Sequence, residues 1–413
     1  MKKDNYFIYK SYAICLLILL FNSFLKNGNI LLFEIDVFLY AILGCFIILL
    51  LHRLIKNKLF AYLLFFSCSL TMIFNLGNPM TGMPSEISFS FLFGLSFYSL
   101  SLGYKIYISD KLKLKDIFIA SNPLIIFTGP IAIFFNDISI SSLSRRITFF
   151  FPYLILGIFF YQIIGTPLTN FFYLFDSLDT FSVITYGIVF ELFIYFNFAG
   201  LSLIVYALLG IIGVGIPLNF RQPFSSRNLI EFWRGWHITL SSVLKQLFYT
   251  PFRAKFNGSI LLFFVFISSA LWHGITFNFL LWGTFHATCF IITKFLLRNK
   301  YFNTSTFLMF IGIIFGRILF VESDIERLLI KLSFNDININ YSIFSNIDIT
   351  SMLSLILGLL IVLSEFIFKD YLYYKQKNYK IFRIPMFQIL LIILIILLIN
   401  SSNGLNFAAY GQR

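Results

Sequence analysis

Three of the four histidines in this chain, and all four of its tryptophans, lie in one short stretch between Trp233 and His286. The rest of the 413-residue sequence consists largely of one apolar run after another. A neutral imidazole can take a proton from a hydroxyl group, and histidine is the most common general base in enzymes. Because an ionisable side chain inside a membrane is costly unless it has a partner or a function, we expect chemistry in this stretch.

His273 is the strongest candidate for a general base. It stands in the segment SSALWHG, between Trp272 and Gly274. The apolar run before it, residues 258–272, would rise only about 22 Å as a helix, which is too short to cross the bilayer. Gly274 permits a helix break and the close approach of a ligand. The spacing predicts an imidazole at a helix end within the membrane; the alternative is a histidine that only bonds a neighbouring carbonyl or hydroxyl.

The other two histidines of the stretch have weaker patterns. His286 follows Trp282 by a helical step, which favours a packed and hydrogen-bonded core histidine. His237 has three open interpretations: it binds an acyl donor, orients His273, or caps a polar network. The three histidines match no short zinc spacing, and Glu231 is the only carboxylate near them, so we predict no metal site.

Composition identifies the class of protein. Hydrophobic residues make up 59% of the chain and charged residues 12%, whereas a soluble domain carries about 25% charged residues. No polar stretch is long enough to bury a core of its own, so residues 1–413 are expected to form a single membrane-embedded domain. The net charge of +13 comes from Lys and Arg clusters between apolar runs, as membrane topology requires, and implies no nucleic-acid partner.

Apolar runs long enough for membrane helices recur along the whole chain. The candidates lie near residues 8–25, 37–51, 59–76, 87–108, 117–135, 147–166, 181–199, 200–217, 258–272, 276–293, 304–321, 351–368 and 385–400. They predict an all-α, polytopic transmembrane helix bundle of about 10–13 helical membrane segments, some of them short or re-entrant. Flanking charges place the N-terminus on the cytoplasmic side, residues 369–383 in a cytoplasmic loop and residues 336–349 outside, but leave the topology of residues 117–217 open.

Residues 219–257 interrupt this pattern with six basic residues and one acid. The excess of positive charge predicts a location on the cytoplasmic side. Asn228 and Glu231 are typical of a helix start, and apolar residues then recur at three- and four-residue steps as far as Leu247. The pattern predicts one amphipathic helix that lies in the membrane interface or lines a wet cavity.

Three segments in this region carry a family resemblance. The sequences NFRQPF (219–224), EFWRGWHITLS (231–241) and LWHG (271–274) resemble the membrane-bound O-acyltransferase family. In detail they are similar to its bacterial branch, which includes the membrane subunit of alginate O-acetylation and the teichoic-acid D-alanyl transferase. Weaker agreements extend the family-like core to about residues 90–320.

The resemblance implies two funnels that meet near the catalytic histidine, with the acyl donor arriving from the cytoplasm and the acceptor from the other side. It implies His273 as the catalytic base and His237 as a second functional histidine. We therefore expect an acyltransferase of the bacterial inner (cytoplasmic) membrane. It would transfer an acetyl group from a cytoplasmic thioester to a hydroxyl of an exported cell-envelope polysaccharide, with a buried histidine as base.

Further expectations concern substrates and partners. We expect acetyl-coenzyme A or an acyl carrier as the donor and co-substrate, and no bound cofactor. The expected partners include the lipid bilayer and a secreted or periplasmic transferase. Arg221, Arg227 and Arg234 contact donor phosphates or only determine topology. The remaining candidate binding residues are Trp233, Trp236, Trp272 and Asn278. Two alternatives stay open: D-alanyl transfer from a carrier protein to teichoic acid, and a non-enzymatic transporter or scaffold with a histidine-lined path.

Overall fold

The computed structural model describes residues 35–55, 57–66, 98–109, 112–122, 125, 136–137, 142–334, 347–368 and 385–398. The α-helices within this part are α1 (Ile35–Leu54), α2 (59–66), α3 (98–109), α4 (Leu114–Ala120), α5 (Leu143–Ile158), α6 (Asn170–Leu174), α7 (Thr180–Ile212), α8 (Leu229–Gly235), α9 (Ile238–Leu244), α10 (Gly258–His273), α11 (Phe277–Arg298), α12 (Phe302–Val321), α13 (Ile325–Ser333), α14 (Ile349–Ile367) and α15 (Pro385–Leu398). One two-residue antiparallel pair, β1 (Asn136–Asp137) and β2 (Val214–Gly215), accompanies them. The predicted span 8–25 and the loop 369–383 lie outside the described residues, as does most of the stretch 336–349.

Within the described residues, five helical segments are long and apolar enough to cross a membrane. They are Leu143–Phe172, Thr180–Ile212, Phe277–Arg298, Phe302–Val321 and Ile349–Ile367, and two shorter apolar helices, Ala41–Leu54 and Gly258–His273, accompany them. The first of the five continues from α5 through a π-helix (Phe159–Gly165) and a 3₁₀ turn (Thr166–Thr169) into α6. This architecture confirms the prediction of an all-α, polytopic membrane protein.

The prediction of two separate spans at 181–199 and 200–217 is wrong. Both belong to α7, which runs unbroken for 33 residues, or about 50 Å. Asp179 caps its start by accepting a hydrogen bond from the backbone of Ser182, and Gly213 ends it with a positive φ of 111°. Because no proline or polar stretch separates the two apolar windows, one continuous helix forms and exceeds the thickness of the hydrocarbon layer.

A close helix crossing joins α7 to the segment formed by α5 and its π-helix. A Cβ atom added to Gly200 of α7 would lie 2.8 Å from the carbonyl oxygen of Gly157 and 2.7 Å from the backbone nitrogen of Tyr161. Small residues at such crossings let two backbones approach and pack without a cavity. The crossing holds α7 against α5, and α7 in turn forms one wall of the region that contains the histidines.

We predict that Gly200→Ala destabilises the protein by about 3 kcal/mol, because the added methyl group meets two backbones that cannot move aside like a side chain. The unfolding temperature of the detergent-purified protein and its amount in the membrane are the measurements. Gly312→Ala on α12 is the matched control, since the nearest atom to its added Cβ is 3.9 Å away, at Leu229. Equal stability of the two variants would contradict the tight crossing.

The two ends of the bundle differ in charge. At one end, here called the acidic end, Asp176 before α7 bonds Arg327 of α13 at 2.8 Å, and Asp348 before α14 accepts a hydrogen bond from Asn170 at 3.0 Å. Burial alone raises the pKa of Asp348, but hydrogen bonds from Ser351 and its neighbours outweigh it and hold that pKa below its ordinary range. The carboxylate therefore stays charged at the start of α14.

The opposite end, here called the basic end, contains the starts of α5 and α12. Arg146 of α5 donates a hydrogen bond to the backbone oxygen of Ile211 in the last turn of α7, at 2.9 Å. Arg298 is the last residue of α11, and Lys300 lies between α11 and α12. Successive membrane-spanning helices therefore begin alternately at the acidic end and at the basic end.

Candidate functional site

The predicted single amphipathic helix over residues 228–247 is broken, and this prediction is wrong in its centre. The helix α8 ends at Gly235, Trp236 adopts an extended conformation, and His237 lies in the left-handed region at φ 42°. The helix α9 begins at Ile238. The start is as predicted, since the Asn228 side chain accepts a hydrogen bond from the backbone of Glu231 at 3.0 Å.

The break is stabilised by the loop that precedes α8. The backbone nitrogen of Arg221 donates to the oxygen of Gly235 at 2.8 Å, and that of Ile238 donates to the oxygen of Asn219 at 2.8 Å. The Asn219 side chain also accepts a bond from the Thr239 hydroxyl at 2.8 Å. A Cβ at Gly235 would lie 2.9 Å from the Arg221 oxygen, so this close approach favours glycine. The loop thus satisfies backbone groups that a continuous helix would bond internally.

His237 lies at this break and is buried. Its Nδ1 accepts a long hydrogen bond, 3.4 Å, from the backbone nitrogen of Leu240 and so caps α9. An accepting Nδ1 assigns the proton of the neutral ring to Nε2. Nε2 has no hydrogen-bond partner among the described residues. The ring packs edge-on against Phe198 at 4.9 Å and Trp272 at 6.1 Å between centroids.

His273 is the last residue of α10, which confirms the predicted helix end before Gly274. Unlike His237 and His286, it is only half-buried. Four aromatic rings surround it, with centroid distances of 4.9 Å to Trp272, 4.9 Å to Phe320, 5.7 Å to Trp282 and 5.8 Å to Phe279. The arrangement leaves the imidazole half-buried within an apolar enclosure.

Asn278 shapes the wall beside His273. Its side-chain oxygen accepts a hydrogen bond from the Thr276 hydroxyl at 2.5 Å, and its amide donates to the backbone oxygen of Phe320 at 3.0 Å. These bonds attach the turn between α10 and α11 to the last turn of α12. Asn278, a candidate binding residue, is therefore buried and engaged with the protein, where it positions the Phe320 ring.

The four tryptophans and three histidines lie close together in space as well as in sequence. The centroid of Trp233 is 5.9 Å from that of Trp282 and 4.9 Å from that of His286. The Phe220 ring lies beside both Trp236 and His237, with centroid distances of 5.1 Å to Trp236 and 6.2 Å to His237. We call this set the aromatic cluster; its members are Trp233, Trp236, His237, Trp272, His273, Trp282 and His286. The structure therefore brings the predicted tryptophans and both predicted functional histidines into one site.

His286 packs inside the aromatic cluster, as its helical spacing predicts. Its ring centroid lies 5.0 Å from that of Trp282 and 6.2 Å from that of Phe266, and the absence of a side chain at Gly316 gives it room. It differs from the predicted hydrogen-bonded histidine in one respect. Its Nδ1 has no partner within the described part of the chain.

The three candidate arginines do not share one environment. Arg221 and Arg234 are exposed, and their backbones are adjacent because Arg221 bonds to Gly235. Arg227 is half-buried, with its guanidinium carbon 3.9 Å from the centroid of the Phe366 ring on α14. Its backbone oxygen accepts a bond of 2.6 Å from Thr306 in the first turn of α12. Arg227 therefore packs the basic end together, whereas Arg221 and Arg234 remain open to a ligand.

Sequence reasoning missed two charged residues of the site. Arg317 of α12 and Glu191 of α7 are buried within membrane-spanning helices and form an ion pair. The guanidinium carbon lies 4.9 Å from the ring centroid of Trp236 and 5.7 Å from that of Phe320. The signal was available, because a charged residue inside an apolar run marks a functional site.

A small cleft adjoins the site on the side of α7. Its walls are Phe160, Tyr195, Ala199, Ser202, Leu203, Leu218, Asn219 and Phe220. Phe220 and Asn219 also flank the helix break, since Phe220 packs near His237 and Asn219 bonds Thr239. Phe220 thus belongs both to the wall of the cleft and to the surroundings of His237.

The region that contains the aromatic cluster matches a known protein family. Residues 133–320 match the family described as MBOAT, membrane-bound O-acyltransferase family, a narrower range than the predicted core of about 90–320. The matched range contains the whole aromatic cluster and the Glu191–Arg317 pair.

Three relatives are similar to parts of the chain. A probable alginate O-acetylase AlgI from Pseudomonas putida is 34% identical over 105 residues, covering 24% of this chain and 22% of the relative. A peptidoglycan O-acetyltransferase from Helicobacter pylori is 32% identical over 97 residues, covering 22% and 18%. A teichoic acid D-alanyltransferase from Streptococcus thermophilus is 31% identical over 118 residues, covering 26% and 28%. The similarity thus spans less than a third of the length of each of these curated relatives.

Proposed function

We propose that this integral membrane protein, which carries a membrane-bound O-acyltransferase family domain over residues 133–320, transfers an acyl group from a thioester to a hydroxyl group of a cell-envelope polymer. One observation carries the proposal: His273 is a half-buried imidazole at a helix end, at the centre of an aromatic enclosure. Relatives named for acetylation of alginate and peptidoglycan support an acetyl group and a glycan acceptor.

The residues suit a direct transfer. The acceptor hydroxyl gives its proton to His273 while its oxygen attacks the thioester carbonyl carbon, and the carbon–sulfur bond then breaks. The thiolate leaves and takes up the proton from the imidazolium. The aromatic walls exclude water, which would otherwise hydrolyse the thioester. The Nε2–H of His237 is a second polar group on the same aromatic cluster, available to orient the donor.

The proposed orientation follows from charge. We place the basic end in the cytoplasm of a bacterium, by the positive-inside rule, with the chain in the inner membrane and its N-terminus cytoplasmic. Coenzyme A or a carrier protein then supplies the thioester from that side. The exported polysaccharide enters from the acidic end, where a secreted or periplasmic transferase is the expected partner.

The exposed arginines suit the phosphates of the donor. We predict that Arg221→Gln and Arg234→Gln each raise the KM for the thioester about 5- to 10-fold with kcat nearly unchanged, as expected for losing one partly solvated charged contact of about 1 kcal/mol. Steady-state kinetics in membrane vesicles with acetyl-coenzyme A is the measurement. Arg227→Gln serves as the contrast, since its packing on Phe366 predicts a lower amount of protein with an unchanged KM. A KM that stays constant in all three variants would leave these arginines as topology determinants.

The acyl group has a second candidate, because the similarity to a teichoic acid D-alanyltransferase covers as much of this chain as the others. Mass spectrometry of envelope polymers from cells with and without the gene distinguishes the two. Loss of acetyl esters supports the main proposal, and loss of D-alanyl esters supports the second. Unchanged polymers, together with transport of a solute that survives loss of His273, would favour a transporter instead.

A further inference from the structure

We propose that Arg317 donates hydrogen bonds to the carbonyl oxygen of the acyl group while that oxygen carries negative charge, and that Glu191 is the positioning residue that holds Arg317 in place. The inference rests on the proposed acyl transfer and adds a charge-stabilising group to it. It concerns two residues, 126 positions apart, that the structure joins within the bundle.

Stability alone does not explain the pair. Arg317 is 6% exposed and Glu191 is 4% exposed, and both lie in membrane-spanning helices. Removing two charges from water carries a large desolvation penalty, and apolar residues of similar volume are often as stable or more stable at such a position. Ionisable residues kept inside a membrane usually face a cavity or a reaction path.

The geometry directs the guanidinium toward the aromatic cluster. Nε of Arg317 donates to Glu191, and the structure records no acceptor for Nη1 and Nη2 among the described residues. The guanidinium carbon lies near the rings of Trp236 and Phe320, and the Phe320 ring in turn lies 4.9 Å from His273. Arg317 therefore belongs to the same enclosure as the proposed base.

The pairing with Glu191 favours a transient anion over a permanent one. Glu191 already balances the positive charge, so the site has no net charge to hold a bound phosphate or carboxylate. The second carboxylate oxygen of Glu191, Oε1, has no hydrogen-bond partner in the described part of the chain. The bond between Arg317 and Oε2 is therefore the contact that fixes the two side chains relative to each other. Donors that are fixed in advance stabilise charge that develops during a reaction, and a guanidinium presents its N–H groups in a rigid fork.

The step balances as follows. The acceptor oxygen forms a bond to the thioester carbon as its proton passes to His273, and the carbon–oxygen π pair moves onto the carbonyl oxygen, which faces Arg317. When the carbonyl re-forms, the carbon–sulfur bond breaks. The thiolate leaves with the electron pair and takes the proton from His273.

The test uses purified full-length protein in vesicles, with acetyl-coenzyme A as the donor and a soluble envelope glycan as the acceptor. Three variants are compared with the wild type: Arg317→Met, Glu191→Gln, and the double variant with both changes. Arg317→Met alone is expected in reduced amount, because Glu191 is left as an unpaired buried charge. The double variant removes both charges and is expected in normal amount, with kcat lowered about 10²- to 10³-fold and KM for the donor nearly constant.

The control is Glu365→Gln, which changes another buried membrane carboxylate, one bonded to Tyr195 at 2.7 Å rather than to an arginine. It is expected to retain the wild-type kcat. A double variant with wild-type kcat, or one that changes only KM, overturns the role of Arg317 while the wild type remains an active transferase. A wild type that transfers no acyl group overturns the proposed function itself and this inference with it.

Discussion

Replacing His273 with alanine lowers acyl transfer by about 10³-fold while the protein remains in the membrane at a near-normal amount. The loss follows from the chemistry, since a positioned general base contributes roughly 10²- to 10⁴-fold to a rate. The fold tolerates the change because the ring is only half-buried and alanine is the best helix former at the end of α10. The measurement is the initial rate of transfer in membrane vesicles, normalised to the amount of folded protein, with acyl esters on the polymer quantified by mass spectrometry.

The matched control for His273→Ala is His52→Ala. His52 is a buried histidine in α1 that stacks on Phe60 at 6.3 Å and lies outside the aromatic cluster. Its loss removes a more deeply buried imidazole without touching the site, so transfer is expected to continue at the wild-type rate. If His273→Ala retained normal acylation at a normal protein level, His273 would not be the base.

The parts of the site that the sequence predicts are those governed by short-range rules. A short apolar run followed by glycine is a local signal for a helix end, and α10 does end at His273. The Asn228–Glu231 cap is local in the same way. The tryptophans and histidines between Trp233 and His286 are also close together in the folded protein, because the helices of this stretch pack against one another.

The parts that the sequence does not predict depend on distant residues. The apolar spacing continues through residues 228–247, and the hydrogen bonds that Asn219 accepts and that Arg221 donates stabilise the break at His237. The pairing of Glu191 with Arg317 requires α7 and α12 to be neighbours, which no local pattern states. The apolar run that contains α7 is long enough for two membrane spans, and hydropathy does not show whether such a run forms one continuous helix or two.

Replacing His237 separates its structural role from its chemical role. The residue combines a left-handed backbone with a side chain that caps α9 through Nδ1. Asparagine tolerates that backbone region and is among the best N-cap residues, whereas alanine loses about 1 kcal/mol of capping. We therefore predict that His237→Asn is present in a near-normal amount and that His237→Ala is less abundant and unfolds at a lower temperature.

The activity of the two His237 variants is expected to behave differently from their abundance. Both lose the imidazole Nε2–H that lies within the aromatic cluster, and removing one positioned donor of this kind costs about 10²- to 10³-fold in kcat. Transfer per folded molecule should therefore fall to a similar level in His237→Asn and His237→Ala, although only the first keeps its stability. Because capping and chemistry reside on opposite nitrogens of one ring, a rate near the wild-type value in His237→Asn would assign His237 to the helix cap alone.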